Sequence, residues 1–578
     1  MKKIAALILV LVILLSFTAA VPRSTMGFVD VPKGHFFEEY INKLQELNIT
    51  NGIGKGAFGF NKEITRAEFL TFLVRLQGQA LDSTPNNEMF KDIKNDWFYP
   101  YANMGIKNKI VVKSDYADGN FYPGKPITRE EMAVMIVRAL NYDTLAFSLN
   151  SQGTQFTDVK QRIGYIQLAK DLGIINGRSG TIFDPTAKAT KQEAAAMLIR
   201  MYNNNNHKLD TLNAFYAIDS YKQVDKVSSF DSISYGWSRL DYNETSGMVE
   251  MTTAKKTGGH PFYVPADFQL AVNGADANGV AKYLMIFGSN EDKVTVNGAA
   301  VGIVSQLLSS DASMQKLISN IIETVSNPNS PYYSAQFDGV VVDFEALRDN
   351  GTDKQNFIKL LTALDDQLEQ NNKKLVVAIN PPAEAGRQYY NGYDFASIGQ
   401  LSDYVILMAH DYDTKQIKDF EMPLFKGETP LAPIKEIYTA LKNVMNGGAG
   451  VPKEKLLLQI SFSTAQWQFK DGAVINKSPY TPDYGKVISR MKDANTAVKA
   501  MNFADLYKSP YFSFETEGIR NTIWYEDERS VNAKIQMAKM FGIKGLSFWR
   551  LGTIPDYAGT ENDAYNLDIW SVISELNK

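Results

Sequence analysis

The sequence predicts a multidomain protein: an all-α unit of three repeats, then an α/β domain built as a (β/α)8 TIM barrel. An α+β insertion is expected between the seventh and eighth barrel strands. Three observations predict this. A capped helical pattern recurs three times early in the chain. Eight strand-like apolar runs then alternate with amphipathic stretches, the pattern of a parallel sheet closed by helices. The last two runs are separated by a long segment, about residues 462–527, containing "SPYFSFETEGIRNTIWYED", which reads as an antiparallel excursion.

Composition sets the outer limits. A chain of 578 residues is too long for one small core, and 44% hydrophobic residues argue for folded, soluble domains. A net charge of −4 without a basic tract leaves no nucleic-acid footprint. Cysteine is absent, which excludes disulfides, thiolate metal sites and a cysteine nucleophile. The four histidines (His35, His207, His260, His410) are too scattered for a zinc motif, so neither metal nor cofactor is expected.

The N-terminus reads as an export signal over residues 1–20. Lys2 and Lys3 precede an apolar stretch, Ile4 to Phe17, and Thr18-Ala19-Ala20 offers small residues for cleavage. An uncleaved anchor is the competing reading, but the stretch falls short of the ~20 residues a spanning helix needs. A secreted protein with no stable membrane insertion is expected.

The repeats come next. "EITRAEFLTFLVRL" from Glu63, "PITREEMAVMIVRAL" from Pro126 and "KATKQEAAAMLIRMY" from Lys188 align, each preceded by "FVDV", "FKDI" or "FTDV". Thr65, Thr128 and Thr190 each have a glutamate three positions on: Glu68, Glu131 and Glu193. That spacing is a capping box, in which hydroxyl and carboxylate satisfy free N–H groups at a helix start. The residue just inside each cap is basic: Arg66, Arg129, Lys191. A cation there opposes the helix dipole, so its recurrence points to an anion bound at the helix N-termini.

These motifs closely resemble S-layer homology repeats, over residues 28–85, 88–150 and 154–204. The resemblance implies binding of an anionic secondary polymer of a bacterial cell wall. Arg66 and Arg129 match the family's ligand-binding arginine. Lys191 departs from it, since lysine lacks the planar fork for bidentate contacts.

"NNNNHK", Asn203 to Lys208, reads as a linker, and the larger domain is expected over 211–578. Its strand-like runs begin at Leu212, Asp231, Lys282, Asp338, Lys374, Asp403, Lys455 and Lys544. A doubly wound sheet is the runner-up, but no Gly-rich phosphate loop follows an early strand.

The fourth run, "DGVVVDFE", ends on two carboxylates. Side chains alternate along a strand, so Val341, Asp343 and Glu345 share a face. Barrel function gathers at the C-terminal ends of strands. A close carboxylate pair resists double ionisation, which raises the proton affinity of one and makes a general acid. A metal site competes, but no nearby histidine or third carboxylate supports it. Other strand ends bring Met408, His410, Asp411 and Tyr412 ("MAHDYD"), Trp549 ("FWRLG"), and Tyr235 and Trp237 ("SYGWSRLD"). Carboxylates among aromatics suit a neutral polysaccharide, although a buried tryptophan is usually packing.

This region resembles the family 18 glycoside hydrolases, whose fourth strand reads DGxDxDxE. Asp338, Gly339, Asp343 and Glu345 match; Val341 replaces the middle aspartate and Phe344 the usual tryptophan. Met408 and Asp411 match the family's M-x-Y-D, with His410 in place of tyrosine, and Trp549 matches the tryptophan under the reactive sugar. The C-terminal segment is most similar to the cell-wall and spore-cortex branch. The resemblance implies substrate-assisted, retaining hydrolysis. Glu345 serves as acid/base, Asp343 orients the substrate acetamido group, and His410 or Tyr412 donates to its oxygen. The expected partners are peptidoglycan or a chitin-type glycan, with a cell-wall location. The alternatives are a non-catalytic glycan-binding or structural wall protein on a degenerate barrel, and a surface-displayed chitinase.

Overall fold

A computed structural model describes residues 27–256, 259–382, 390–493 and 497–577. The export signal expected at residues 1–20 lies outside them. No helix among the described residues is long and apolar enough to cross a membrane. The chain forms two compact units. Of the described residues, the first unit holds those up to Asn141 with Phe156–Val159 and Gly177–Arg200; the second holds Tyr142–Gln155, Lys160–Asn176 and those from Met201. Residues of the third repeat are divided between the two units.

In the first unit the capping boxes start the helices α1 (Arg66–Leu76) and α2 (Arg129–Ala139). At α3 (Lys191–Asn205) Thr190 N donates to Glu193 Oε2 at 2.8 Å. The recurring aspartate of each opening motif is also explained. Asp30 accepts the N–H groups of Phe58, Gly59 and Phe60, Asp92 those of Phe121 and Tyr122, and Asp158 those of Phe183 and Asp184.

The three caps meet in a closed ring. Ile64 N donates to Ala189 O, Ile127 N to Ile64 O, and Ala189 N to Ile127 O, each at 3.0 Å. Around it the cations inside the caps cross between repeats. Arg66 Nε donates to Glu131 Oε1 at 3.1 Å, Arg129 Nη1 lies 3.8 Å from Glu193 Oε1, and Lys191 Nζ 2.6 Å from Glu68 Oε1. Arg129 Nε also donates to Phe183 O at 3.0 Å, with its guanidinium over the Phe183 ring. The cations expected to meet an anion are thus each also engaged by an ion pair. Each answers the dipole conflict through the capping glutamate of another repeat, and Arg129 and Lys191 are buried.

The second unit contains the barrel. Its strands are β1 (Thr211–Tyr216), β2 (Ser232–Asn243), β3 (Ala281–Ser289), β4 (Gly339–Glu345), β5 (Lys374–Ile379), β6 (Tyr404–Leu407), β7 (Leu456–Ser461) and β8 (Gly545–Trp549). Each pairs in parallel with the next, and β8 with β1, so the sheet closes. All eight expected runs are strands. One further strand, Met248–Thr252, runs antiparallel on β2.

The barrel is filled by Phe215, Tyr283, Met285, Val341, Val376, Ile406, Met408 and Leu457, among others. Removal of such side chains from water supplies the main drive for folding. Between β7 and β8 stands an antiparallel sheet of Ala473–Val474, Ala465–Lys470, Ile519–Trp524, Ser509–Thr516 and Ala497–Ala504, in that spatial order. Trp467 anchors the segment after β6 to this sheet. It is fully buried, its Nε1 donates to Thr429 Oγ1 at 2.8 Å, and its ring packs on Phe425.

The expected linker is partly helix, since Asn203–Asn205 complete α3. Asparagine is a modest helix former, but a tertiary contact decides: Asn204 Nδ2 donates to Leu172 O at 2.6 Å.

Candidate active site

Strand β4 climbs from core to cleft on one face. Val341 is fully buried in the barrel cluster, Asp343 is 3% exposed, and Glu345 lines an open cleft of about 1150 Å³. The apolar residue one step below the carboxylates thus belongs to the packed layer. No described residue hydrogen-bonds to Asp343 Oδ1. Burial without compensating donors raises the Asp343 pKa, because the charged form loses its hydration. Burial raises Glu345 as well, and the neighbouring Asp343 charge raises it further.

The chain beyond Glu345 is fixed from β5. Ala346 takes a left-handed φ of 57°, and its N–H donates to Asn380 Oδ1 at 2.8 Å. The Tyr393 hydroxyl lies 2.7 Å from Phe344 O and 2.9 Å from that same Asn380 oxygen. These contacts turn the strand sharply and leave Glu345 at the mouth. Glu291 and Tyr390 line the cleft nearby.

Across the mouth, His410 follows β6. Its Nδ1 lies 2.9 Å from Asp411 Oδ2 and its Nε2 2.6 Å from Gln459 Oε1. Burial alone would lower the His410 pKa, but the Asp411 carboxylate outweighs it and raises it. Burial opposes ionisation of Asp411 too, yet His410 and Lys415 hold it far below the usual carboxylate range. Gln459 extends this link into the barrel: its Nε2 reaches Ser547 Oγ at 3.4 Å, and Ser547 Oγ donates to Asn213 Oδ1 at 2.9 Å.

The structure brings Glu345, Met408, His410, Asp411 and Tyr412 to one cleft. Trp549 ends β8 half-buried, edge-on to Phe215 at 5.2 Å. Tyr235 and Trp237 are corrected: both are buried away from the cleft. The Tyr235 hydroxyl donates to Ala271 O at 3.1 Å, and Trp237 packs on Tyr235 and Phe268. Inward positions near them on β2 belong to Ser232 and Ser234, which accept from Asn213. Alternation turns the aromatics to the helix side. His410 is corrected in one respect: both ring nitrogens already have partners within the protein. Asn380, Tyr393, Gln459 and Glu291 were not anticipated. The polar ends of the β5 and β7 runs were the available signal.

No group of three or more histidine, cysteine, aspartate or glutamate side chains suited to a metal ion occurs among the described residues. What the site can do is hold a proton on a carboxyl at neutral pH. A second buried carboxyl and an imidazole-carboxylate pair stand beside it.

The model of glycosyl hydrolases family 18 matches residues 273–553, and that of the S-layer homology domain matches 27–70, 90–133 and 155–195. The chain is similar to a cortical fragment-lytic enzyme of Bacillus subtilis (strain 168), 23% identical over 43% of this chain and 52% of that one. It is similar to a surface layer protein of Brevibacillus choshinensis, 37% identical over 18% of this chain and 10% of the other. The spore cortex-lytic enzyme SleL of Bacillus cereus aligns at 18% identity with a TM-score of 0.47, over 64% of this chain and 75% of that one. The chain spans about half the length of the lytic relative.

Proposed function

The chain carries a family 18 glycosyl hydrolase domain behind three S-layer homology repeats, and from that premise we propose that it hydrolyses β-linked N-acetylglucosamine polymers at the cell wall, with peptidoglycan as substrate. The observation that carries this reading is the pair at the end of β4, with Asp343 buried beneath Glu345 at the cleft and both carboxyl pKa values raised. Glu345, protonated near neutrality, gives its proton to the glycosidic oxygen as the bond to the anomeric carbon breaks. The substrate's own acetamido oxygen attacks that carbon from the opposite face. Asp343 stabilises the charge that develops on the acetamido nitrogen. Glu345, now a carboxylate, takes a proton from the water that opens the cyclised intermediate, and the anomeric configuration is retained. Because the acetamido oxygen is the nucleophile, no second protein carboxylate has to attack the anomeric carbon.

The repeats support attachment to the wall through an anionic secondary polymer. The relative named for lysis of cortical fragments supports a bacterial wall glycan over chitin. One observation favours a non-catalytic glycan-binding protein instead: the engagement of both His410 nitrogens leaves that side chain no spare donor. Mass spectrometry of products from purified peptidoglycan and from chitin oligomers separates the readings. Cleaved N-acetylated products support the hydrolase, and their absence from both substrates rejects it.

A further inference from the structure

A second pocket of about 360 Å³ opens on the insertion sheet, lined by Lys426, Tyr507, Tyr511, Arg520 and Trp524 among others. It shares Glu428, Leu506 and Tyr507 with the cleft of Glu345, so one continuous surface joins them. Its floor is rigid. Trp524 is buried, and its Nε1 donates to Gly427 O at 2.7 Å. The Tyr511 ring packs on it at 4.8 Å and the Tyr507 ring meets it edge-on at 6.0 Å. Both tyrosines remain half-buried. Aromatic faces of this kind accept the apolar face of a sugar ring.

Two cations stand beside this floor. The Arg520 guanidinium carbon lies 4.4 Å from the Phe469 ring centroid, a contact that orients the group without neutralising it. Among the described residues, neither Arg520 nor Lys426 pairs with a carboxylate, and both are exposed. Glu428 lies at the edge shared with the main cleft, close enough to Tyr507 to add to the effect of burial in raising its pKa. A neutral glycan has no use for two cations here.

We propose that this pocket is a subsite for a carboxylate-bearing N-acetylhexosamine, such as one carrying a lactyl ether. Arg520 and Lys426 bind the carboxylate, and the half-buried Tyr511, backed by Trp524, carries the ring. The proposal rests on the glycosidase reading and narrows its substrate to an acidic wall glycan.

The test is calorimetric binding to the full chain carrying Glu345→Gln, so that turnover does not interfere. The probes are soluble glycan oligomers free of wall polymer: one with free lactyl carboxylates, the same oligomer amidated, and a neutral N-acetylglucosamine oligomer. Adding Arg520→Gln is expected to weaken the acidic oligomer about tenfold, the scale of a charge-assisted hydrogen bond, and the other two less than about twofold. Lys426→Gln, at an exposed position, should repeat the pattern. Equal weakening of all three oligomers, or no weakening of the acidic one, overturns the subsite. Charge-selective binding by a wild type that cleaves no N-acetylated glycan rejects the hydrolase reading and keeps the subsite. Cleavage without charge-selective binding does the reverse.

Discussion

The imidazole of His410 is clamped between two side chains, with Nδ1 2.9 Å from Asp411 Oδ2 and Nε2 2.6 Å from Gln459 Oε1. The pair predicts a pH window of stability. Burial works against both charges, but each partner outweighs it. His410 is raised above its ordinary 6.5, and Asp411 is lowered below its ordinary 3.8. A base raised in the folded state stabilises fully below 6.5 and loses that contribution as pH rises through its folded value. An acid lowered in the folded state stabilises above 3.8 and loses the contribution as pH falls. Asp411→Asn should therefore lower the Tm most between about pH 4 and 6.5. The deficit should shrink toward pH 9. A Tm deficit independent of pH would contradict the pairing.

Glu345→Gln tests the acid. Glutamine keeps the shape but cannot deliver a proton, and turnover should fall by about 10²–10⁴-fold with folding intact. The wild-type rate should decline as pH rises through the raised Glu345 pKa. The linkage has the opposite sign from that of Asp411. An acid whose folded pKa is raised binds more protons in the folded state, so the wild type loses stability as pH rises above the ordinary value of 4.5. Glu345→Gln removes that loss. Its Tm should exceed the wild-type Tm at pH 9 and approach it at pH 4, and equal profiles would place the raised pKa elsewhere.

Val341→Asp restores the carboxylate that family 18 enzymes carry at this position, but into a packed layer with Met285, Val376 and Ile406. An unpaired buried charge is costly, and the unfolding free energy should drop by about 3 kcal/mol or more at pH 8. Much of that cost should vanish at low pH, where the new carboxyl is neutral. Val341→Ala should cost roughly 1–3 kcal/mol at any pH, since only packing is lost. Chemical denaturation at two pH values separates the cases; a well-tolerated aspartate would mean that Asp343 moves to accommodate it.

The barrel was legible because its strands are short apolar runs bounded by polar residues, and all eight lie where the runs begin. The carboxylates on β4 were legible from alternation alone. Tyr235 and Trp237 were misread because a strand-end motif does not say which parity faces inward. Asn213 settles this by bonding Ser232 and Ser234 across the interior. Gln459 was visible as the lone polar residue inside "KLLLQIS", but its partner His410 lies on a different strand end, a distance along the chain that no local pattern spans. The repeats show the same limit. Each capping box could be read locally, whereas the pairing of its cation with another repeat depends on ring closure.

That ring gives the last prediction. Lys191 is buried and its ammonium lies 2.6 Å from Glu68 Oε1, linking the third repeat to the first. Burial alone would raise the Glu68 pKa, but Lys191 and the Thr65 cap outweigh it, and the value is lowered. Lys191→Ala leaves the capping glutamate without this cation and should cost roughly 2 kcal/mol at pH 7, between surface and fully buried pairs. A lowered acid stabilises only above its ordinary pKa of 4.5, so the penalty should fade as pH drops below that value. Lys191→Arg should recover much of the loss, because it keeps the charge. Sedimentation with cell walls adds the functional readout. If the cations act by closing the ring, wall binding by Lys191→Ala should fall in step with the fraction unfolded. Lost wall binding at full stability would instead show Lys191 touching the polymer directly, with Glu68 as the partner it leaves behind.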